Sequence, residues 1–296
     1  RDLELVIVDN GCRLDAAARA ALATDPRVRW VALAEDTGIG PAANAGIAAA
    51  VGEYIAIADY DDLSLPTRIA REVAALDADP GLALVSTFAD RMDGEGRPLG
   101  DRVFTLAAPG EFAAYAPYAA PLVHPASMGR RAVYEEFPFR SPFRFTSELD
   151  FYARVTERHR LGVIPEVLLR YRWYPSQTTQ RHAANIDQSR CVILQLAARR
   201  RAGRPEALDR VEWMTEALSA GEFAARVARQ CLDEELFVPA AYLARRAFAL
   251  DRSPAGAWRA TALAAAQWRR TPRTERAAVT AMFRHGPVRA LGVTPA

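Results

Sequence analysis

Through the first half of the chain, short apolar runs alternate with longer stretches in which Ala and other helix formers recur at helical spacing. The runs at Leu3–Val8, Val28–Leu33, Tyr54–Ala58, Leu82–Thr87 and Leu161–Ile164 are continuous rather than alternating, the pattern of strands covered on both faces. Helix-spaced segments lie between them over Leu14–Ala23, Pro41–Val51 and Pro66–Asp77. This βαβ alternation predicts an α/β fold, an open sheet with helices on both faces and ligands bound where the carboxyl ends of the strands emerge. From Phe88 to Phe145 the pattern breaks into Gly, Pro and aromatic residues, as in "DGEGRPLGD" and "EEFPFRSPFRF", which predicts turns and loops over the sheet. Beyond about residue 180 only helical spacing remains. The expected division is therefore an α/β domain over 1–180 and an all-α C-terminal region over 181–296, with Ser253 and Thr271 as N-caps before Pro254 and Pro272.

Charge sharpens that division. The 296 residues sum to a net +2, but residues 1–181 carry −5 and residues 182–296 carry +7, with every base an Arg. A basic helical region is commonly a solvated surface; it is also the kind of surface that meets anionic lipid or phosphate. No apolar run approaches the length of a bilayer span and no signal peptide is visible, so the expected location is cytoplasmic, with the inner face of the plasma membrane as an extension of that reading. Three scattered cysteines, Cys12, Cys191 and Cys231, are too few for a disulfide framework or a Cys-rich zinc site. The chain opens at Arg1 directly into a buried-type strand, and a parallel strand needs a neighbour and a crossover. In the helical region, "RRAFALDRSPAGAWRATA" resembles the junction between two tetratricopeptide repeats.

The chemistry concentrates in "YIAIADYDDLSLP", where an apolar run ends in Asp59, Asp61 and Asp62. Three carboxylates in four positions repel one another unless water, a helix N-terminus or a cation compensates them. Nearby, Gly38, Gly40 and Ala43 spell a dinucleotide-binding loop, G-x-G-x-x-A, with Asp59 about 20 residues on. Glu35 and Asp36 stand where a pyrophosphate would want the helix N-terminus to itself, and a ribose needs only one carboxylate, so this loop is a weak signal.

Five blocks taken together, "ELVIVDNGC", "GIGPAANAGIAAAVGEYIAIADYDDLSLPTRI", "HPASMGRRAVYEEF", "SELDFYARV" and "IPEVLLRYRWYPSQTT", resemble in order and spacing the bacterial family 2 glycosyltransferases of GT-A fold. The likeness covers roughly residues 1–180. It implies an inverting, metal-dependent transferase that moves a sugar from a nucleotide-sugar donor to a hydroxyl of a glycan or lipid-linked acceptor, as in cell-surface polysaccharide biosynthesis. Asp59 and Asp61 match the family's D-x-D, which implies Mn²⁺ or Mg²⁺ held against the donor diphosphate, a role suited to oxygen ligands. Asp9, Asn10, Asp36, Gly38, Asp59 and Asp61 are the implied donor contacts. Glu148 falls where the family has its catalytic Asp, implying a general base for the acceptor hydroxyl; Asp150 fits better as a first-turn acid of a helix. His124 and Tyr174 fall on the acceptor or phosphate side.

The chain departs from the family in several places. Asn10 stands for the second Asp of a strand-end pair, Glu148 for an Asp, and Tyr174 for a His. Family members also open with a strand and helix that precede the point where this chain begins. Loss of that central strand would leave unpaired backbone on two neighbours, and trimming is the expected cause. These departures keep a second reading open, a catalytically silent module that binds sugar nucleotides or serves as a scaffold.

Overall fold

A computed structural model describes residues 3–11, 16–103, 109–206, 208 and 218–287. In chain order the elements are β1 (Leu5–Asn10), α1 (Ala16–Leu22), β2 (Val28–Leu33), α2 (Ile39–Ala49), β3 (Tyr54–Ala56), β4 (Leu63–Ser64), α3 (Arg68–Ala78), β5 (Leu82–Met92), β6 (Pro98–Val103), α4 (Phe112–Tyr115), β7 (Ser127–Arg130), α5 (Arg131–Glu136), α6 (Ser147–Val155) and β8 (Arg160–Arg172). The helices α7 (Thr178–Arg181), α8 (Ala183–Arg201), α9 (Ala220–Asp233), α10 (Phe237–Leu250), α11 (Pro254–Arg270) and α12 (Arg276–His285) follow. They form two compact units: one of residues 1–104 and 122–175, the other of 105–121 and 176–296.

The first unit is α/β, with two sheets where the sequence suggested one. Strands β1 and β2 pair in parallel as a two-stranded sheet, and a six-stranded mixed sheet runs β3-β7-β5-β8-β4, with β6 alongside β5. Among the described residues β1 pairs only with β2, and β3 only with β7. Helix α2 covers the small sheet closely at Gly46, where a Cβ would come within 2.9 Å of Val8 Cγ2. Glu4 ties the small sheet to the loop that leads into β3: one carboxylate oxygen accepts the Val51 and Gly52 amides at 2.6 and 3.0 Å, and the other pairs with Arg29.

The larger sheet is organised by β5, whose run "LALVSTFADRM" is largely buried. Antiparallel β7 borders its first half, antiparallel β6 its second half, and parallel β8 its whole length. Helix α3 packs Leu76, with Ile69 and Val73, against Val85, Met128 and Ile164. The stretch expected to be loops from Phe88 to Phe145 thus contains the end of β5, all of β6 and β7, and α4 and α5; its residues 104–108 lie outside the described ones. The signal was missing for physical reasons. Strand β6, "PLGDRV", is an exposed edge with no apolar alternation, and β7, "SMGR", is four residues long and owes its burial to neighbours on both sides. Strand β8 also runs well past the expected Ile164. It contains Pro165, which has no N–H for the ladder, and the register with β5 shifts there, between Thr87 and Phe88.

The second unit is helical among its described residues. Ser219 caps α9 in a reciprocal arrangement with Glu222, and Ser253 caps α11 by accepting the Gly256 amide at 3.0 Å, with Pro254 at the first helical position. Thr271 does not cap a following helix. Its hydroxyl donates back to the Gln267 carbonyl at 2.7 Å, so it closes α11, and α12 begins only at Arg276. Cys191 and Cys231 are buried free thiols, pushed upward in pKa by burial, and Cys12 lies outside the described residues.

Candidate active site

The acid-rich turn is held from both sides. After β3, the Ile57 amide donates to the Ser127 carbonyl of β7 at 2.9 Å, while the Ile57 carbonyl accepts from Arg68, the fully buried first residue of α3. Arg68 also donates to the Pro125 carbonyl and lies 3.9 Å from the buried Glu72 carboxylate one turn along α3. Beyond Ile57 the chain turns so that Asp59, Asp61 and Asp62 each present a carboxylate oxygen, all within 4.8 Å of one another. Arg172, at the end of β8, fixes the far side. Its amide donates to Asp62 Oδ1 at 2.8 Å, and its guanidinium donates to the Asp61 carbonyl at 2.7 Å and to the Gly94 carbonyl at 2.7 Å. Tyr174 follows, and its phenol donates to Asp61 Oδ2 at 2.9 Å and meets the Tyr60 hydroxyl at 3.5 Å.

Crowding leaves these acids reluctant to ionise together. Desolvation, and then the Asp61 charge, push the Asp59 carboxyl up to about 6 against the pull of Arg68. Asp59 keeps an exposed face, so solvent tempers that rise. Desolvation also pushes Asp62 up to about 7, with the Asp59 and Asp61 charges adding to it and the Arg172 amide opposing it. One Asp62 oxygen is buried with no hydrogen-bond partner among the described residues. An all-oxygen, anionic donor set with one unsatisfied oxygen suits a hard divalent cation such as Mg²⁺ or Mn²⁺.

A second group lies where β1 ends and α2 begins. Asn10 uses its whole side chain to shape the connecting loop. Its Oδ1 accepts the Thr37 amide and hydroxyl at 2.9 and 3.0 Å, and its Nδ2 donates to Asp36 Oδ1 at 3.0 Å and to the Gly38 carbonyl at 3.3 Å. Asp36 accepts the Gly38 amide at 2.9 Å and pairs with Arg144 at 2.6 Å. Gly38 has φ +91°, a conformation that other residues rarely adopt, and a Cβ there would lie 3.0 Å from Arg144 Cγ. Asp9, one residue before Asn10, has a buried carboxylate oxygen with no partner among the described residues.

The third group sits on α6. Its N-terminus abuts that of α2, since a Cβ on Gly40 would lie 3.0 Å from Ser147 Cβ. Glu148 is half-buried in the first turn. Asp150 is fully buried and held by Arg154 at 2.9 Å and Arg140 at 3.5 Å, a structural ion pair. One turn after Glu148, the Tyr152 hydroxyl meets His124 Nδ1 at 3.0 Å and the Ser127 hydroxyl at 3.4 Å. Burial pushes His124 down to about 4, so its imidazole is neutral near neutral pH. It packs edge-on against Phe139 and Tyr152. Hydrogen bonds therefore run from Ile57, which leads into the acid turn, through Ser127 to the helix that carries Glu148.

The structure thus collects Asp59, Asp61 and Tyr174 in one group, Asn10, Asp36 and Gly38 in a second, and His124 beside the helix that carries Glu148. Sequence reasoning did not assign roles to Asp62, Arg172, Arg144, Arg68 or Tyr60. Asp62 and Tyr60 were visible in the acid run and Arg68 lies just beyond it, but the partners that give Tyr60 and Arg68 their roles, like Arg144 and Arg172 themselves, lie far away in sequence.

Comparison with known proteins agrees with this architecture. Residues 1–137 match the family model described as glycosyl transferase family 2. The succinoglycan biosynthesis protein ExoO of Rhizobium meliloti (strain 1021) is 42% identical over 106 residues, which are 36% of this chain and 29% of that protein. The uncharacterized glycosyltransferase MJ1057 of Methanocaldococcus jannaschii is 24% identical over 149 residues, 50% of this chain and 51% of that one. The chain therefore spans between about a third and a half of the length of these curated relatives. Crystal structures of S. aureus TarS 1-349, alone and in complex with UDP, superpose with TM-scores of 0.53 and 0.52 at 12% and 15% identity. They cover 97% and 96% of this chain, and 79% and 82% of those chains. That likeness identifies the fold as GT-A. The segment 1–137, with β1–β3 and the acid-rich turn at its centre, belongs to glycosyl transferase family 2.

Proposed function

We propose that the protein transfers a sugar from a nucleotide-sugar donor to a hydroxyl of a glycan or lipid-linked acceptor, with inversion, using a divalent cation. The observation that carries this reading is the convergence of three carboxylates, one with a buried unsatisfied oxygen, in the same compact unit as a loop whose shape is fixed by Asn10. The UDP complex of TarS and the succinoglycan role in the name of ExoO support a nucleotide donor and a polysaccharide setting. Such a donor sets the reaction in the cytoplasm; no helix among the described residues is long and apolar enough to cross a membrane.

Asp59, Asp61 and Asp62 would hold the cation, which when bound neutralises charge on the departing nucleoside diphosphate. The 36–38 loop, with Asp9 and Asn10 behind it, orients the donor, and the Asp36–Arg144 pair holds that loop against the segment leading into α6. Glu148 accepts the proton of the acceptor hydroxyl as it attacks; the first turn of α6 supplies the nearby amides that favour an anionic carboxylate there. His124, neutral and fixed by Tyr152, lines the acceptor side.

The test has two arms. Donor hydrolysis screened over nucleotide-sugars should require Mn²⁺ or Mg²⁺ and be lost in Asp61→Ala. Glu148→Gln should keep donor binding while transfer falls by roughly 10² to 10⁴, and unchanged turnover would remove Glu148 from the mechanism. One observation favours the silent alternative: the Tyr174 phenol already engages an Asp61 oxygen. Cation-independent donor binding without turnover would decide for that reading.

A further inference from the structure

The α11–α12 end of the helical unit presents a face whose composition differs from an ordinary solvated surface. Residues 254–287 contain six arginines and a single acid, Glu275. Three large aromatics stand out from them: Trp258 is 73% exposed, Trp268 47% and Phe283 37%. On α11, Trp258, Thr261, Ala262, Ala265 and Arg269 are all exposed and follow helical spacing, a stripe about 16 Å long. The buried stripe is a different one, Gly256, Ala260, Leu263 and Gln267.

The preceding hairpin shows that this exposure is particular to α11. The capping serines Ser219 and Ser253 stand 34 positions apart. At that offset, Trp258, Thr261, Ala262 and Ala265 correspond to Ala224, Val227, Ala228 and Cys231 of α9, all of which are buried. The same helical positions are covered in α9 and open in α11. Beside the stripe, Trp268 and Phe283 border a groove of about 240 Å³ between α11 and α12, with Ala264 and Val279 in its wall and Arg284 at its rim. The Arg276 guanidinium lies over the Trp268 ring, 5.0 Å from its centroid. Arg259 and Arg270 are paired with Asp251 and Asp233, whereas Arg269, Arg273 and Arg284 have no acidic partner among the described residues.

We propose that this face docks on an anionic phospholipid surface, with Trp258, Trp268 and Phe283 entering the interfacial layer and Arg269, Arg273 and Arg284 meeting lipid phosphates. Two observations choose a bilayer over other anionic partners. Tryptophan and phenylalanine among arginines on the outward side of a helix is the composition of interfacial helices, where amphipathic rings rest at the headgroup level. A nucleic-acid strand would want its arginines lining a groove that tracks a backbone. Here the groove wall is apolar, and Ala262 and Ala265 extend apolar surface along the stripe.

The full chain, with no donor or acceptor present, is floated with vesicles of phosphatidylcholine alone and of phosphatidylcholine with phosphatidylglycerol. Binding is expected only to the anionic vesicles and should weaken as salt rises. The triple variant Arg269→Ala, Arg273→Ala, Arg284→Ala should lose about fivefold in affinity per arginine. The matching triple change to Lys should retain most of the binding, which separates charge from damage to the fold. Trp258→Ser should lose about tenfold, and quenching of tryptophan fluorescence by brominated lipid should shrink in Trp258→Phe and Trp268→Phe. Equal binding to both vesicle types, wild-type affinity in the triple Ala variant, or binding to an RNA oligonucleotide without binding to vesicles would each overturn the proposal. Because none of these readouts involves sugar transfer, they stand or fall independently of the proposed activity.

Discussion

Glu72 is fully buried on α3, beneath the acid turn, and neither of its carboxylate oxygens has a hydrogen-bond partner among the described residues. Its nearest cationic neighbour, Arg68, has its Nε 3.9 Å away, beyond hydrogen-bond reach, and its two terminal nitrogens donate to the Pro125 and Ile57 carbonyls. Desolvation outweighs the Arg68 charge and pushes the Glu72 carboxyl up from 4.5 to about 7. A carboxyl that holds its proton more tightly when folded stabilises the native state fully below its unfolded value of 4.5. That contribution is lost as pH rises through about 7. At about 1.4 kcal/mol per tenfold change in proton affinity, the loss amounts to about 3 kcal/mol. Glu72→Gln keeps the shape and removes the titration. Urea titrations of wild type and variant near pH 5 and near pH 8 should therefore give a difference that grows by about 3 kcal/mol in the variant's favour at the higher pH. In melting temperature this is about 6–12 °C for a unit of this size. A difference that stays flat with pH would mean that the carboxyl is hydrated or fully paired, and the account of a desolvated Glu72 under the site would fall.

Two further outcomes follow from particular contacts. Tyr174→Phe removes the phenol that donates to Asp61 Oδ2, so Mn²⁺ affinity, read by electron paramagnetic resonance, should tighten by up to about tenfold; weaker or unchanged affinity would show that the phenol does not compete with the cation. Asn44 on α2 clamps the peptide of Phe139 with paired hydrogen bonds of 2.7 and 2.9 Å. Asn44→Ala should cost about 2–3 kcal/mol in chemical denaturation and speed hydrogen exchange at the Phe139 amide, and protection equal to wild type would refute the clamp.

The Asn10 loop shows how far the sequence could be read. A strand end carrying Asp9 and Asn10 was recognisable from the apolar run before it, and the resemblance implied a donor contact there. That Asn10 spends all of its side-chain bonds on Thr37, Asp36 and Gly38 was not legible, because those partners are 26 to 28 positions away. Thr271 was misread for a related reason. Thr followed by Pro is a fair helix-start signal, but whether its hydroxyl caps the next helix or bonds back to the previous one depends on how the chain turns, and it bonds to Gln267.

By itself, the sequence determined the features that rest on local physical chemistry. These are the buried strands written as apolar runs, the helices between them, the serine cap before Pro254, the clustering of Asp59, Asp61 and Asp62, and five blocks specific enough to indicate a family. Tertiary structure alone decided that β7 lies between β3 and β5, that β8 continues past Pro165, and that Tyr174 reaches Asp61 from 113 positions away. It alone brought Tyr152, one helical turn after Glu148, to the Ser127 that also bonds the strand leading into the acid turn. The reason is one of range. Periodicity and capping are written within a few residues, whereas burial of a four-residue strand, or the second partner of a carboxylate, exists only once distant segments have packed.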